Sequence, residues 1–364
     1  MSAAEVRARR AAALLTMGSD RARKPPQNGE GYLTRTRLTL TLALMAAGFA
    51  VVAIVAMAFG SVHISIIRAL REAASPDRAI LMSVRAPRVL IGAAVGAILA
   101  VVGAALQALV RNPLAEGGIL GISGGGAMGA IVAMVAAARL GGGEAIVPLG
   151  AFGAALLSTF VVYRVSMVRG RLEPFTLLLA GVIFNAFWGA AIMLVNSVVN
   201  FFFVRTIIFW LMGSFEAPTW REVMICSAAA LGGGAILIAY GRDLNLLSLG
   251  DDEAGVLGVN VEGLRRVIFV VTSLMIGVAV SVSGIITFVG LIVPHVLRMT
   301  FGADHRLLLP ASIIGGAAFT VAADLLARTA IAPAELPVGA ITALFGGPFF
   351  IYVLRREGRP ALGF

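Results

Sequence analysis

The stretch RDLNLLSLGDDEAGVLGVNVEGLRR, residues 242–266, is a polar interval between two long apolar runs. A polar segment flanked by membrane-spanning runs lies outside the hydrocarbon, because charged and irregular backbone is costly there. Its leucines and valines form short apolar faces beside the acids Asp251 and Glu253. Gly250 and Gly258 interrupt the pattern, which predicts two short amphipathic helices joined near Gly250.

Two interpretations of these helices differ in what their apolar faces contact. A short amphipathic helix on the water side of a membrane protein lies on the bilayer surface or docks into a groove of a partner protein. Helices of the first kind carry Lys and Arg on the polar face, whereas the centre of this stretch is acidic. The charge therefore favours a protein partner over the lipid surface.

The composition of the whole chain places it in the membrane. Of 364 residues, 59% are hydrophobic and 13% are charged, whereas a soluble domain has about 45–50% apolar and about 25% charged residues. The net charge of +10 comes from arginines at the ends of apolar runs and in the tails, where orientation rules put them. This distribution excludes nucleic acid as a partner. The single cysteine, Cys226, excludes an internal disulfide framework and a cysteine-rich metal site.

Ten apolar runs approach the length of about 20 residues that a helix needs to cross a bilayer. They predict an all-α, polytopic membrane protein with spans at 38–60, 89–110, 119–138, 145–168, 175–200, 221–240, 267–284, 285–301, 307–327 and 336–354. The two shortest runs meet at Gly284 and are also compatible with a re-entrant turn. Residues 1–37 and 358–364 are then cytoplasmic tails around a transmembrane domain of residues 38–357.

The arginines predict the orientation of these spans. With the N-terminus inside, the basic residues at 164–171, 242–266, 298–306 and 355–359 all fall on the cytoplasmic side, as the positive-inside rule requires. An even number of spans then puts both termini in the cytoplasm.

One group of arginines violates this rule. It consists of Arg68, Arg71, Arg78, Arg85 and Arg88 in the loop after the first span, together with Arg328. A single arginine of this kind can extend its charged end to the lipid headgroups. A whole cluster favours a second hypothesis, a docking surface for an acidic partner.

Charged and nucleophilic side chains within the predicted spans are few. Asp324 lies four residues before Arg328, so the two can pair on one helical face; the alternative is a proton relay. His295 is either a packed, hydrogen-bonded histidine or a metal or haem ligand. Ser123, in Gly-Ile-Ser-Gly-Gly, weakly matches the nucleophile-elbow pattern and leaves an intramembrane serine protease as a remote alternative.

A phosphate-binding P-loop is absent from the sequence. That motif needs a Gly-Lys pair, and the only lysine is Lys24, in the N-terminal tail. If nucleotide drives this protein, a separate chain must hydrolyse it.

Seven motifs in the same order resemble the signature of FecCD-type permeases, the membrane subunits of ABC importers for iron-siderophores, haem and vitamin B12. They are RAPRVLIGAAVGAILAVVGAALQALVRNPLAEGGILGISGGGA (85–127), LLLAGVIFNA (177–186), WLMGSF (210–215), LNLLSLGDDEAGVLGV (244–259), GIITFVGLIVPHVLR (284–298), DHRLLLP (304–310) and ADLLARTAIAPAELPVGAITALFGGPFF (323–350). The similarity covers nearly everything after the N-terminal tail.

The resemblance implies a type II ABC importer of the vitamin B12 permease kind. It implies a homodimer of ten-helix subunits in the bacterial inner membrane, with two ATP-binding subunits below and a periplasmic substrate-binding protein above. The chain itself is then not an enzyme and binds no cofactor or metal, since ATP and Mg belong to the partner subunits.

The resemblance also assigns roles to particular residues. It identifies residues 244–260 as coupling helices that fit a cleft on the ATP-binding subunit, through Leu247, Leu249, Gly250, Asp251, Glu253, Ala254, Leu257 and Gly258. It implies that Arg85, Arg88 and Arg328 meet glutamates of the binding protein. Asn112 and Leu114 match one cytoplasmic gate, and Pro174 and Phe175 lie in the other. At these last two positions the vitamin B12 permease has small hydroxyl residues, a departure compatible with a different cargo.

The function expected from these motifs is alternating access driven by ATP. The cargo is expected to be haem, with vitamin B12 and ferric siderophores as alternatives that share the motifs. A proton-coupled secondary transporter is a competing class, but it needs intramembrane carboxylates that this chain mostly lacks. Candidate pathway lining comes from residues 175–200 and 285–301.

Overall fold

A computed structural model of the protein describes residues 33–140 and 145–357. Eight of its helices are long and apolar enough to span a membrane, and two shorter apolar helices match the remaining predicted runs. The predicted all-α, polytopic fold is therefore confirmed. Of the predicted tails, residues 1–32 and 358–364 lie outside the described residues.

The described elements follow one another along the chain with short connections. In order, the helices are α1 (Arg35–Ala58), α2 (Ile66–Arg71), α3 (Pro76–Ile80), α4 (Ala86–Leu109), α5 (Ile122–Leu140), α6 (Ile146–Ser166), α7 (Pro174–Val198), α8 (Phe201–Leu211), α9 (Trp220–Ala239), α10 (Gly241–Leu247), α11 (Asp251–Val256), α12 (Val261–Ser283), α13 (Val289–Phe301), α14 (His305–Thr329) and α15 (Val338–Glu357). A π-helical turn, Leu81–Arg85, joins α3 to α4. An antiparallel hairpin of β1 (Met167–Val168) and β2 (Arg171–Leu172) joins α6 to α7.

Two boundaries differ from the predicted ones for local reasons. α12 begins at Val261, before the predicted residue 267, because the Asn260 side chain caps its first turn by accepting from the Gly263 amide at 2.9 Å. α13 begins at Val289 and not at 285, because Gly284 ends α12 at a φ of +68° and Phe288 also has a φ of +68°. The length of an apolar run predicts neither a polar first turn nor a residue with a left-handed backbone, so it misplaces these two helix starts.

α4 is the central helix of the bundle. In its most apolar stretch of 18 residues, 83% of the residues are buried, whereas the same share is 6% in α1 and 11% in α7. α1 and α7 therefore lie at the periphery of the bundle. α4 crosses α14 where Gly96 meets Gly316 and crosses α13 where Gly103 meets Gly290; a Cβ on any of the four would collide with the facing backbone. These glycines therefore allow close packing of the helices at both crossings.

The segment between α4 and α5 turns back into the bundle. Glu116 lies beside Gly290, which also contacts Leu99 and Gly103 of α4. Its carboxylate accepts a 3.1 Å hydrogen bond from the Phe288 amide at the start of α13. Further along the segment, the Gly118 carbonyl accepts from the Asn185 side chain at 2.7 Å. This non-helical backbone is thus covered by protein, as the bilayer requires.

The bundle has two ends, which we name by a residue or helix at each. The Arg88 end holds the C-terminus of α1, the N-terminus of α4 and the C-terminus of α14, joined through hydrogen bonds of Arg88 and Arg328. The α11 end holds the opposite termini, with α10, α11 and the β1–β2 hairpin.

Candidate functional site

Helices α10 and α11 form the pair that the polar stretch predicts. Gly250 separates them with a φ of +146°, and a Cβ at this position would collide with the Glu253 carboxylate. A glycine is therefore required at the joint. Asp251, Asp252 and Glu253 occupy the first turn of α11, where negative charge is favoured by the helix dipole.

The eight predicted coupling residues divide by exposure into anchors and presented side chains. Leu247, Gly250 and Ala254 are buried against the bundle, whereas Leu249, Glu253, Leu257 and Gly258 are exposed. Asp251 has an intermediate exposure. Together with Val256, the exposed leucines give α10 and α11 an apolar edge beside acids. An apolar edge with a charged rim is typical of a protein interface.

The hairpin before α7 carries the second predicted gate. Arg169 and Gly170, both in the left-handed region, form its tip, which suits a two-residue hairpin loop. Glu173 caps α7 by accepting from the amides of Phe175, at 3.2 Å, and Thr176. The bonds from Thr176 lower the pKa of Glu173, so this cap is charged near neutral pH. Pro174 takes the first helical position, where its missing N–H costs nothing.

The first predicted gate is a tight turn after α4. Asn112 Oδ1 accepts from the Leu114 amide at 2.9 Å, which is an Asx-turn. Arg111 precedes it with a φ of +49°. A cavity of about 540 Å³ is lined by Asn112 of this turn and by Pro174 and Phe175 of the hairpin connection. The structure therefore brings Asn112, Pro174 and Phe175 of the two predicted gates to one site, and Leu114 of the same turn is exposed.

Asp251 and Arg265 line the same cavity, although no sequence motif connects either residue with the gates. Asp251 pairs with Arg111 and also with Arg265, which is 2.8 Å away. Arg265 in turn donates to the Leu172 carbonyl of the hairpin at 3.4 Å. The positions of these arginines beside helix breaks are the only sequence signal that could have indicated them.

The three predicted docking arginines lie at the Arg88 end and are buried. Arg88 pairs with Asp324 at 2.8 Å and with Glu335 at 2.7 Å. Arg328 Nε lies 3.4 Å from Asp324, and its Nη2 donates to the Ala56 carbonyl in the last turn of α1 at 2.6 Å. The predicted pairing of Asp324 with Arg328 is confirmed, and Asp324 is engaged by two arginines.

Arg85 completes this cluster by holding the end of α1. Its Nη1 donates to the carbonyls of Met57 at 2.8 Å and Ala58 at 2.6 Å, and its Nη2 reaches the Val62 carbonyl. Arginines that satisfy the last carbonyls of a helix stabilise that helix end. In this conformation the side chains therefore act within the permease, and their docking role stays a prediction.

His295 and Ser123, the residues considered as a metal or haem ligand and as a protease nucleophile, are both packed within the bundle. His295 lies inside α13, with its ring edge-on to Phe349 and Phe350 of α15. Ser123 is buried in the first turn of α5. Within 33–140 and 145–357, no group of three or more His, Cys, Asp and Glu side chains is placed to hold a metal ion.

Comparison with known proteins gives concordant matches over most of the chain. The FecCD transport family matches residues 42–356. The hemin transport system permease protein HmuU of Yersinia pestis is 40% identical over 327 residues, covering 85% of this chain and 95% of its own. The cobalamin import system permease protein BtuC of Halobacterium salinarum is 43% identical over 287 residues, covering 77% and 74%. A solved structure described as an inward-facing, metal-chelate type ABC transporter has a TM-score of 0.78 at 29% identity and covers 87% of this chain and 99% of its own.

Proposed function

The chain belongs to the FecCD transport family and is a permease subunit of an ABC importer; on that premise we propose that its cargo is haem. Vitamin B12 and a ferric siderophore are the alternative cargoes. Support for haem comes from the relative named as a hemin permease, which matches over 95% of its length, against 74% for the archaeal cobalamin permease.

The proposed assembly contains two copies of this chain, two ATP-binding subunits and a periplasmic binding protein. The proposal that an ATP-binding subunit docks at α11 rests on the apolar edge of Leu249, Val256 and Leu257, which is exposed beside the acids of α11. Such an edge at a water-facing end favours a partner protein. ATP and Mg bind to that partner, and this chain binds neither.

In the proposed orientation the α11 end faces the cytoplasm and the Arg88 end faces the periplasm of a bacterial inner membrane. Both termini are then cytoplasmic, in agreement with the arginine distribution. Asn112, Leu114, Pro174 and Phe175 form the cytoplasmic gate, whose most exposed member is Phe175, at 72% exposure.

Docking of the binding protein is proposed at the Arg88 end. If Arg85, Arg88 and Arg328 bind its glutamates directly, those carboxylates must replace Asp324 and Glu335 as partners. Arg68 of the preceding loop is 60% exposed and only 3.7 Å from Asp77, so it can bind a further carboxylate without leaving that contact. Docking therefore begins at the loop, and the buried arginines hold that loop in place.

Reconstitution of the permease with its partner subunits in lipid vesicles tests this function. Uptake of haem, cobalamin and a ferric siderophore is measured with the binding protein and ATP on the appropriate sides. ATP-dependent uptake of haem alone is the expected result. Matched vesicles contain an ATP-binding subunit unable to hydrolyse ATP. Haem uptake of equal rate in these vesicles would overturn the ATP-driven mechanism, and uptake of cobalamin alone would overturn the cargo.

A further inference from the structure

Asp251 joins the helix that faces the motor to both gate segments. It is the first residue of α11, and its carboxylate contacts two arginines that come from different parts of the chain. Arg111 belongs to the turn after α4 that contains Asn112. Arg265 belongs to α12, and both its Nη2 contacts with the Asp251 oxygens are 2.8 Å long.

Arg265 extends the connection to the hairpin in front of α7. Its Nη1 donates to the Leu172 carbonyl at 3.4 Å, while the amide of Leu172 donates to Glu262 at 3.2 Å. Leu172 is therefore held on both its backbone groups by the first two turns of α12. Glu173, the next residue, caps the helix that carries Phe175.

α11 is anchored to the bundle by its own residue Ala254, which is buried, and by the ion pairs of Asp251. Gly250 joins it to α10 at a φ of +146°. A displacement of α11 by a partner subunit consequently moves the Asp251 carboxylate with it. Because a hydrogen bond is lost beyond about 3.5 Å, a displacement larger than the reach of these side chains either pulls an arginine along or breaks its charge-assisted pair with Asp251.

Breaking the pairs has unequal consequences for the two arginines. Arg265 is almost fully buried and Arg111 is partly exposed. A buried cation without its counter-charge is costly, whereas a partly exposed one is solvated by water. Arg265 must therefore either keep its pair with Asp251 or find another carboxylate. Glu262, 3.9 Å from Arg265 Nη1, is the adjacent carboxylate that can replace Asp251.

From these contacts we infer that Asp251 is the positioning residue that couples movement of the ATP-binding subunit to both gate segments at once, through Arg111 to the Asn112 turn and through Arg265 to the hairpin. The inference rests on the proposed function, because it assigns the displacement of α11 to an ATP-binding partner. It adds to that function two ion pairs, Asp251–Arg111 and Asp251–Arg265, which connect the surface that binds the ATP-binding subunit with the two gate segments.

The decisive variant is Asp251→Asn, which keeps the size of the side chain and removes its charge. In vesicles with the partner subunits, the number of ATP molecules hydrolysed per cargo molecule imported rises at least about fivefold, as expected when an interaction between contacting charges is lost. Asp251→Glu restores the charge and is expected to recover most of the coupling. An unchanged ratio in Asp251→Asn overturns the inference.

Asp252→Asn is the matched control, since it removes the same charge from the neighbouring residue of the exposed face. Its effect is expected on the affinity for the ATP-binding subunit and not on the ATP-to-cargo ratio. Equal changes of that ratio in both variants would assign the effect to the docking surface and overturn the inference. A double-mutant cycle with Arg111→Gln and Asp251→Asn then gives a coupling term that a general loss of stability cannot produce.

A second readout follows the gate directly. Cys226 is the only cysteine and is buried, so Phe175→Cys introduces a single accessible thiol in the gate. ATP is expected to change its rate of reaction with a water-soluble thiol reagent in the otherwise unaltered permease, and Asp251→Asn is expected to abolish that change. A retained ATP response in the double variant overturns the inference. If the wild-type permease shows no ATP-dependent uptake, the proposed function fails. That outcome is distinct from a loss of coupling that is confined to Asp251→Asn.

Discussion

Two clusters of arginine and carboxylate side chains lie at opposite ends of the bundle and differ in burial. At the Arg88 end, the side chains of Arg88 and Asp324 are 7% and 2% exposed. At the α11 end, those of Arg111 and Asp251 are 36% and 40% exposed. Water can replace a lost partner of the Arg111–Asp251 pair but not of the Arg88–Asp324 pair. Arg265, the other partner of Asp251, is itself only 4% exposed. The difference indicates that the Arg88 cluster holds helices in a fixed arrangement, while the Arg111 contact of the Asp251 cluster can open during transport.

The largest effect is expected for Arg88→Ala. Removing this side chain leaves Asp324 buried with only Arg328 as a charged partner and frees Glu335, which destabilises the permease by about 3–5 kcal/mol. The measurement is the midpoint of thermal unfolding of the purified protein in detergent. Arg68→Ala is the control, because Arg68 is exposed and lies 3.7 Å from Asp77; it is expected to cost at most about 1 kcal/mol. Equal midpoints for the two variants would remove the distinction between the ends.

The Arg88 cluster also shows what sequence reasoning could and could not supply. Asp324 and Arg328 are four residues apart on one helix, so their pairing follows from helical geometry. Arg88 is 236 residues away from Asp324, and no local pattern identifies a partner at that distance. The charge pattern therefore located this cluster but did not reveal that its members satisfy one another.

The same limit applies at the α11 end and along the spans. The ten apolar runs were predictable because hydrocarbon thickness fixes helix length, and the joint at Gly250 was predictable because turn residues act locally. α8, of 11 residues, is too short to register as a span. The contact of Arg111 with Asp251 joins residues 140 positions apart, so the connection between gate and coupling helix required the structure.

A second prediction concerns the joint that positions α11. Gly250→Ala forces a residue with a Cβ into a φ of +146° and against Glu253, which costs about 1–3 kcal/mol. Hydrogen exchange of the α11 amides is expected to accelerate, and the affinity for the ATP-binding subunit is expected to fall. The Arg88 end should keep its exchange rates.

Gly255→Ala supplies the control on the same helix. A Cβ on Gly255 meets nothing within 4 Å, and alanine favours helix more than glycine does. Exchange of the α11 amides should therefore slow slightly. Faster exchange in this variant would mean that α11 tolerates no change at all, and the strain at Gly250 would not be the cause.

Ionic strength separates the two clusters without altering a residue of either one. Raising the salt concentration from about 0.1 M to 1 M shortens the Debye length from about 10 Å to about 3 Å. Pairs as exposed as Arg111 with Asp251 contribute at most about 1 kcal/mol and are screened, so a Phe175→Cys thiol should react faster at high salt. Thermal unfolding should shift little, since the buried Arg88 pairs are shielded from ions. A salt-dependent midpoint with an unchanged thiol rate would reverse the assignment of the clusters.

The smallest effect is expected from the titration of Asp304, which caps α14 at the α11 end. Bonds from the Arg306 guanidinium, with Nη2 at 2.6 Å, and from the Asn245 side chain lower the pKa of Asp304 to about 2. A lowered carboxyl pKa means that the stabilisation is complete above the unfolded value of about 3.9 and is lost as the pH falls towards about 2. Because Arg306 is half exposed, the loss should stay below about 1 kcal/mol. It should appear as a lower protection of the first α14 amides, relative to their intrinsic exchange rates, between pH 4 and pH 2 and not between pH 7 and pH 4. Asp304→Asn keeps an oxygen acceptor for the cap and should abolish this dependence; if it persists, another carboxylate at the α11 end is titrating.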